Sequence, residues 1–213
     1  MRTLVIDCAT QALSIALFDG EVCRTGLYQL MGRGHAEALV PMIGEMLAGE
    51  RVDAVAVDVG PGSFTGIRVG IAAARALGLA WDVPVTGYDC LSLCAAIARA
   101  GEGAQKPADL TVVMTGGHGE LFWQRFAAND LAPLGPLVST PVEQLARDLP
   151  DHRLYGSGAE ALVAARGWGE PVGGLPDARS YALLPAAHRT LAPIAIYGRA
   201  ADAKPMAVVG GAA

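Results

Sequence analysis

Apolar positions gather in short blocks over residues 3–9, 13–18 and 21–30, and this spacing predicts three strands, with Asp19-Gly20 turning the second into the third as an antiparallel meander. Over residues 35–49 the period changes. Ala36, Leu39, Val40, Met42, Ile43, Met46 and Leu47 recur at helical spacing and Gly49 supplies a stop. Residues 53–58 form a short Val-rich run of the kind buried on both faces of a sheet. Gly60-Pro61-Gly62 then turns the chain, Ser63 is placed to cap, and a helix is predicted to Trp81 before Pro84 interrupts. A strand at residues 83–88 and a helix at 91–100 follow.

The first hundred residues therefore read strand, strand, strand, helix, strand, helix, strand, helix. Three antiparallel strands feeding two parallel crossovers resemble the half-unit of the actin-like fold. Residues 101–107, rich in Gly and ending in Pro, read as a linker. Beyond it, strands at 110–114, 121–127 and 153–156 and helices at 142–149, 159–166 and 181–191 repeat the first order only faintly, with 129–136 as loop. The expected architecture is α/β in the actin-like ATPase class (ASKHA, ribonuclease H-like), with an N-terminal lobe at 1–100 and a reduced C-terminal lobe and tail at 101–213.

The helix over 63–81 is apolar around nearly its whole circumference, through Phe64, Ile67, Val69, Ile71, Leu77, Leu79 and Trp81, with Arg68 and Arg75 as a narrow polar edge. Such a helix must be covered on more than one side, by its own domain or by another protein. With the preceding helix beside it, Leu39, Met42, Ile43, Met46, Phe64, Ile67, Arg68, Ile71 and Arg75 are the candidate partner surface. Simple burial is the competing reading.

A formal net charge of −5, with no run of Lys or Arg, argues against a protein that grips phosphate backbones alone, so any contact with RNA would need a basic surface supplied by another chain. The 52% hydrophobic content is ample for a core. No apolar run suggests a signal peptide or a membrane span, and a cytoplasmic location without membrane contact is expected. Cys8, Cys23, Cys90 and Cys94 match neither a CxxC pair nor a secreted framework, and reduced thiols are expected.

Two features invite chemistry. Gly60, Gly62 and Ser63 open a helix, where free N–H groups and the helix dipole can hold an anion, and Asp7 ends the first strand. Against an anion or nucleotide site stand two facts. Glycine also serves mere close packing, and Asp7 is followed by Cys8, Ala9 and Thr10 rather than by glycines that admit a phosphate. His35 with Glu37 and Glu45 reads as a metal or acid-base group or, more simply, as a solvated helix start. No HExxH-type spacing or Ser, His, Asp set is present, so neither catalytic residues nor metal ligands are assigned.

The run from Leu4-Val5-Ile6-Asp7-Cys8-Ala9-Thr10 onward, and above all Gly60-Pro61-Gly62-Ser63-Phe64-Thr65-Gly66-Ile67-Arg68-Val69-Gly70, resembles the bacterial tRNA threonylcarbamoyladenosine biosynthesis family TsaB (YeaZ), related to the glycoprotease-like TsaD/Gcp family. His35-Ala36-Glu37 and the tail Tyr197-Gly198-Arg199 are similar to further segments of that family. The resemblance implies a non-catalytic partner of the catalytic subunit TsaD and, through that pair, of the ATPase TsaE. It implies docking through the first two helices; no cofactor is assigned, and a homodimer through the same helices and a nucleotide at the subunit boundary are left open. Cys90 and Cys94 stand where the related catalytic subunit has metal-binding histidines, and Thr115-Gly116-Gly117 stands where the family usually has Asp-Ala-Arg. Two rivals remain: a nucleotide-dependent phosphotransferase of the same fold, and a protein that associates only with itself.

Overall fold

The computed structural model describes residues 1–103 and 108–198. Strands β1 (Arg2–Asp7), β2 (Ala12–Asp19) and β3 (Val22–Leu30) form the predicted meander, followed by helix α1 (His35–Leu47), β4 (Ala54–Asp58), α2 (Phe64–Trp81), β5 (Val85–Tyr88) and α3 (Cys90–Gly101). The first sheet has the order β3-β2-β1-β4-β5, with β1, β4 and β5 parallel. Apart from Thr3 and the strand-end carboxylates Asp7 and Asp58, the buried positions of β1 and β4 are apolar, because the sheet is covered on both faces: α1 and α2 pack on β1, β2 and β4, and the segment at Ala178–Leu183, itself against α3, packs on β1, β2 and β3.

The second half comprises β6 (Leu110–Thr115), β7 (Glu120–Phe126), β8 (Val138–Pro141), α4 (Val142–Asp148), β9 (Arg153–Tyr155), α5 (Ala159–Arg166) and β10 (Glu170–Val172). Its order, β10-β9-β6-β7-β8, reproduces the first sheet strand for strand: an antiparallel meander flanked by two parallel additions. The repeat is thus complete in strand order, where the sequence suggested a faint copy, and reduced in length, since β9 and β10 have three residues each. The linker's residues 104–107 and the tail from Arg199 lie outside the described residues.

Alternation along β6 joins the two sheets. Val112 and Met114 face α3 and share one core with Leu4, Ile6, Leu91 and Leu93, whereas Val113 faces the opposite way, into a second core with Leu145, Leu154 and Leu162 under α4 and α5.

The helix expected at 181–191 is replaced by two short 3-10 turns, Ala178–Leu183 and Ala186–His188. Pro185 between them has no N–H to continue a helix, and the rings of Phe18 and Tyr88 hold Tyr181 at centroid distances of 5.8 and 5.3 Å. The chain then runs back over the first lobe, where Leu191 bridges Gly87 and the Ile196 N–H donates to the Val59 carbonyl (2.7 Å).

Gly44 in α1 has open space where a side chain would be, so Gly44→Ala is expected to raise stability by about 0.5–1 kcal/mol. At Gly66 in α2 a Cβ would overlap the Cys8 carbonyl oxygen, and Gly66→Ala is expected to cost roughly 1–3 kcal/mol or more. Urea denaturation of the two variants checks both signs.

Candidate functional site

α2 starts as the sequence predicts. Ser63 is its N-cap, and its Oγ accepts the Gly66 N–H (3.2 Å). On its inner side the turn before it is closed by backbone. Gly62 and Gly66 lie so close to the carbonyls of Ala9 and Cys8 that a Cβ at either would collide with them, and the Ser63 N–H donates to the Ala9 carbonyl (2.7 Å). The loop after β1 thus fills the space a phosphate cradle would need. Asp7 and Gly60 are buried, whereas Gly62 and Ser63 line a wide cleft between the lobes. The four residues therefore do not converge on one open anion site. Close packing of backbone on backbone explains the glycines.

That cleft, of about 830 Å³, is walled by Thr10, Ser63, Phe64 and Arg68 from the first lobe and by Thr115, His118, Phe122 and Ser157 from the second. Its polar rim is largely committed. The Thr115 N–H donates to Ser157 Oγ (3.0 Å) and the Thr115 hydroxyl to the Ser157 carbonyl (3.1 Å). The Arg68 guanidinium stacks 3.4 Å from the Phe64 ring centroid and donates from Nε to the Tyr197 hydroxyl (2.9 Å). Arg75 holds the same returning segment through the Pro193 carbonyl (2.7 Å). Both arginines of the expected partner edge thus pin the chain's own C-terminal strap.

Four of the expected partner residues are core. Leu39, Ile43, Ile67 and Ile71 are buried beneath α1 and α2 against the first sheet, because the 3.6-residue period turns them inward together with Gly70 and Ala74. Met42 and Met46 are half-buried, and Phe64, Arg68 and Arg75 are exposed. The outer face consists instead of Val40 (63% exposed), Pro41 and Gly44 on α1, and Ala72, Ala76 and Leu79 (87% exposed) on α2. Spacing alone could have marked it, since 72, 76 and 79 share a face, as do 40 and 44. A helix apolar all round offers no polar side to say which apolar stripe points out.

His35 is buried rather than solvated. Its Nε2–H donates to the Ala12 carbonyl (3.3 Å), tying α1 to β2, whereas Glu37 and Glu45 are exposed. Cys90 and Cys94 are buried on α3. Cys90 Sγ–H donates to the Pro61 carbonyl (2.9 Å), and Cys94 Sγ lies 3.6 Å from the Met114 sulfur. Burial, and then the charge of nearby carboxylates, pushes both thiols well above the ordinary value, which opposes the thiolates a metal requires. Among the described residues no cluster of three or more His, Cys, Asp or Glu is placed to hold a metal ion. No described helix is long and apolar enough to cross a membrane.

A family model described as "TsaD: tRNA N6-adenosine threonylcarbamoyltransferase" matches residues 29–144. The chain is 33% identical over 136 residues to the tRNA threonylcarbamoyladenosine biosynthesis protein TsaB of Escherichia coli (strain K12), covering 61% of this chain and spanning only 57% of that relative's length. An uncharacterized protein of Mycobacterium tuberculosis (strain H37Rv) is 33% identical over 220 residues, 96% of this chain and 95% of its own. Among solved structures, YeaZ from Pseudomonas aeruginosa superimposes with a TM-score of 0.72 at 27% identity, covering 85% of this chain and 89% of that one.

The burial pattern sets the thiol chemistry. At pH 8 an aromatic disulfide reagent is expected to modify Cys23, the exposed thiol, rapidly, and to reach Cys8, Cys90 and Cys94 only in denaturant. Mass spectrometry of the labelled native protein reads the outcome.

Proposed function

The chain belongs to the TsaD-like family of tRNA threonylcarbamoyladenosine proteins, in which it is similar to TsaB (YeaZ), and from that premise we propose that it is a non-catalytic partner subunit of TsaD. In this role it supports formation of N6-threonylcarbamoyladenosine in tRNA, in the cytoplasm, with TsaE joining through the pair and tRNA contacted only indirectly. Residues 1–100 form the docking lobe and residues 101–213 the smaller lobe and tail.

The observation that carries this reading is the outer face of α1 and α2. Val40 and Leu79 project into solvent from an apolar surface that Ala72 and Ala76 keep low. Pro41 and Gly44 both cost helix stability, and the space around Gly44 is empty, so this chain's own packing gives no reason for a glycine there. A partner helix laid close against α1 gives one. The exposed Glu37 and Glu45 lie on the same helix as Val40 and Gly44, and a second copy of the chain is the alternative occupant of the face in the absence of TsaD.

Phosphotransfer by this chain alone is disfavoured by the filled space at Gly62 and Gly66 and by the burial of Asp7. A partner role instead asks for an outward-facing apolar surface, which α1 and α2 provide.

Reconstitution with TsaD, TsaE, the adenylate-forming enzyme, ATP, threonine, bicarbonate and tRNA is expected to need this chain for product. Because Leu79 lies outside the core, Leu79→Asp should leave stability within about 0.5 kcal/mol. The same substitution should weaken TsaD binding at least tenfold, about 1.4 kcal/mol. Full modification without the chain, or undiminished binding by a folded Leu79→Asp protein, overturns the reading.

A further inference from the structure

Where β1 and β4 end, two carboxylates meet inside the protein. The strands pair in parallel through Ile6 and Val57, so the next residues, Asp7 and Asp58, stand side by side at about the 4.8 Å interstrand spacing and point to the same face. Each uses one oxygen to hold its own turn. Asp7 Oδ1 accepts the Ala9 N–H (3.2 Å), and Asp58 Oδ1 accepts the Gly60 N–H (2.7 Å). Each Oδ2 is buried without a hydrogen-bond partner of its own, and the Tyr88 hydroxyl, which bonds the Ile6 carbonyl, lies near enough to Asp7 to ease its ionisation only slightly against burial. The two carboxyl groups are within hydrogen-bonding reach of each other.

Two ionised carboxylates cannot stay in that position. Both are 1% exposed, like charges in contact repel strongly in a low dielectric, and no arginine, lysine or histidine bonds either one among the described residues. We propose that Asp7 and Asp58 form a buried proton-binding site, in which one proton bridges the two Oδ2 atoms and ties the loop after β1 to the turn that starts α2. The proton turns one unpaired oxygen into a donor and leaves the other as its acceptor, so both are satisfied at once.

The surroundings favour retention of that proton. The groups facing the pair are the Cys8 thiol just past β1, the Tyr88 hydroxyl from β5, which donates to the Ile6 carbonyl (3.2 Å), the Cys90 and Cys94 thiols from α3, Asp89 at the α3 N-cap, and Asp177 before the first 3-10 turn. Asp89 accepts from Ser92, and Asp177 is paired with Arg179. Burial, the largest cause, pushes Asp7 up to about 7, and burial together with the Asp7 charge holds Asp58 well above the carboxylate range. An unfolded Asp titrates near 3.9. The folded chain therefore keeps protons that the unfolded chain releases. The resulting stability is complete in acid and is lost progressively as the pH rises from about 4 to beyond 7, by about tenfold in the folding equilibrium per pH unit for each proton retained.

Carbon-13 NMR of the full chain labelled at the Asp carboxyls tests this directly, together with denaturation at pH 5 and pH 8. In the wild type one Asp carboxyl is expected to remain protonated at pH 7.5, and stability to fall from pH 5 to pH 8. In Asp58→Asn the amide oxygen keeps the Gly60 N–H and the amide nitrogen donates to Asp7. The protonated signal should then vanish, and the loss in folding equilibrium between the two pH values should shrink at least tenfold. Asp7→Asn, the mirror substitution, should do the same and serves if Asp58→Asn fails to fold. Titration of every wild-type Asp carboxyl below pH 5, an unchanged pH dependence in the folded variants, or displacement of the protonated signal by millimolar magnesium would each overturn the proposal.

Discussion

Backbone lies directly on backbone where α2 begins, and the geometry of the first lobe depends on that contact. The carbonyls of Cys8 and Ala9, just past β1, occupy the volume that side chains at Gly66 and Gly62 would need. The Ser63 N–H bonds into the same loop, and the Ile67 and Gly60 packing extends the contact to the strap at Ile196. This close approach fixes where α2 starts and how it rolls on the sheet. Ile67, Ile71 and Ala74 therefore face inward, and Ala72, Ala76 and Leu79 face outward. A glycine-rich strand-to-helix turn is often taken as a phosphate cradle. Here the same residue types do the opposite and close the space.

The proposed docking function inherits its surface from that constraint. A surface made of low, apolar positions on two adjacent helices is useful only if the helices hold a fixed relation, and α1 is fixed through buried Leu39, Ile43 and His35 while α2 is fixed through its first turn. Arg68 and Arg75, which look on sequence like the charged edge of the contact, instead fasten residues 193–197 against α2. Through Gly198, which lies against Phe122 and Leu137, that strap also reaches the second lobe and so links α2 to the interlobe cleft.

Much of the first lobe was legible in the sequence because its elements are long enough to show a period. The meander, both crossovers and the Ser63 cap follow from residue types that have few other uses. The second lobe was harder, because β8 and β10 span four and three residues and each contains a proline, too short and too irregular to register as alternation. β8 is set by its pairing with Phe122 and Trp123 of β7, and β10 by its pairing with β9, rather than by local preference. The helix expected at 181–191 failed for a related reason: its apolar residues pack on the rings of Phe18 and Tyr88, a tertiary demand that Pro185 accommodates and a helix would not. On α2 the sequence disclosed an excess of apolar surface but not its direction, because Gly and Ala on every side erase the amphipathic contrast. The Asp7 and Asp58 pair was invisible until β1 and β4 were known to be neighbours in register.

The central claim is that the outward face of α1 and α2 is a docking surface for TsaD. Hydrogen exchange of the full chain, alone and with its cognate TsaD in excess, tests it without any substitution. The account requires exchange to slow over residues 35–48 and 64–81 when TsaD is added, with the outer strands of the second sheet unchanged. Protection confined to the second lobe, or no protection anywhere in a complex that sedimentation shows to have formed, would contradict it.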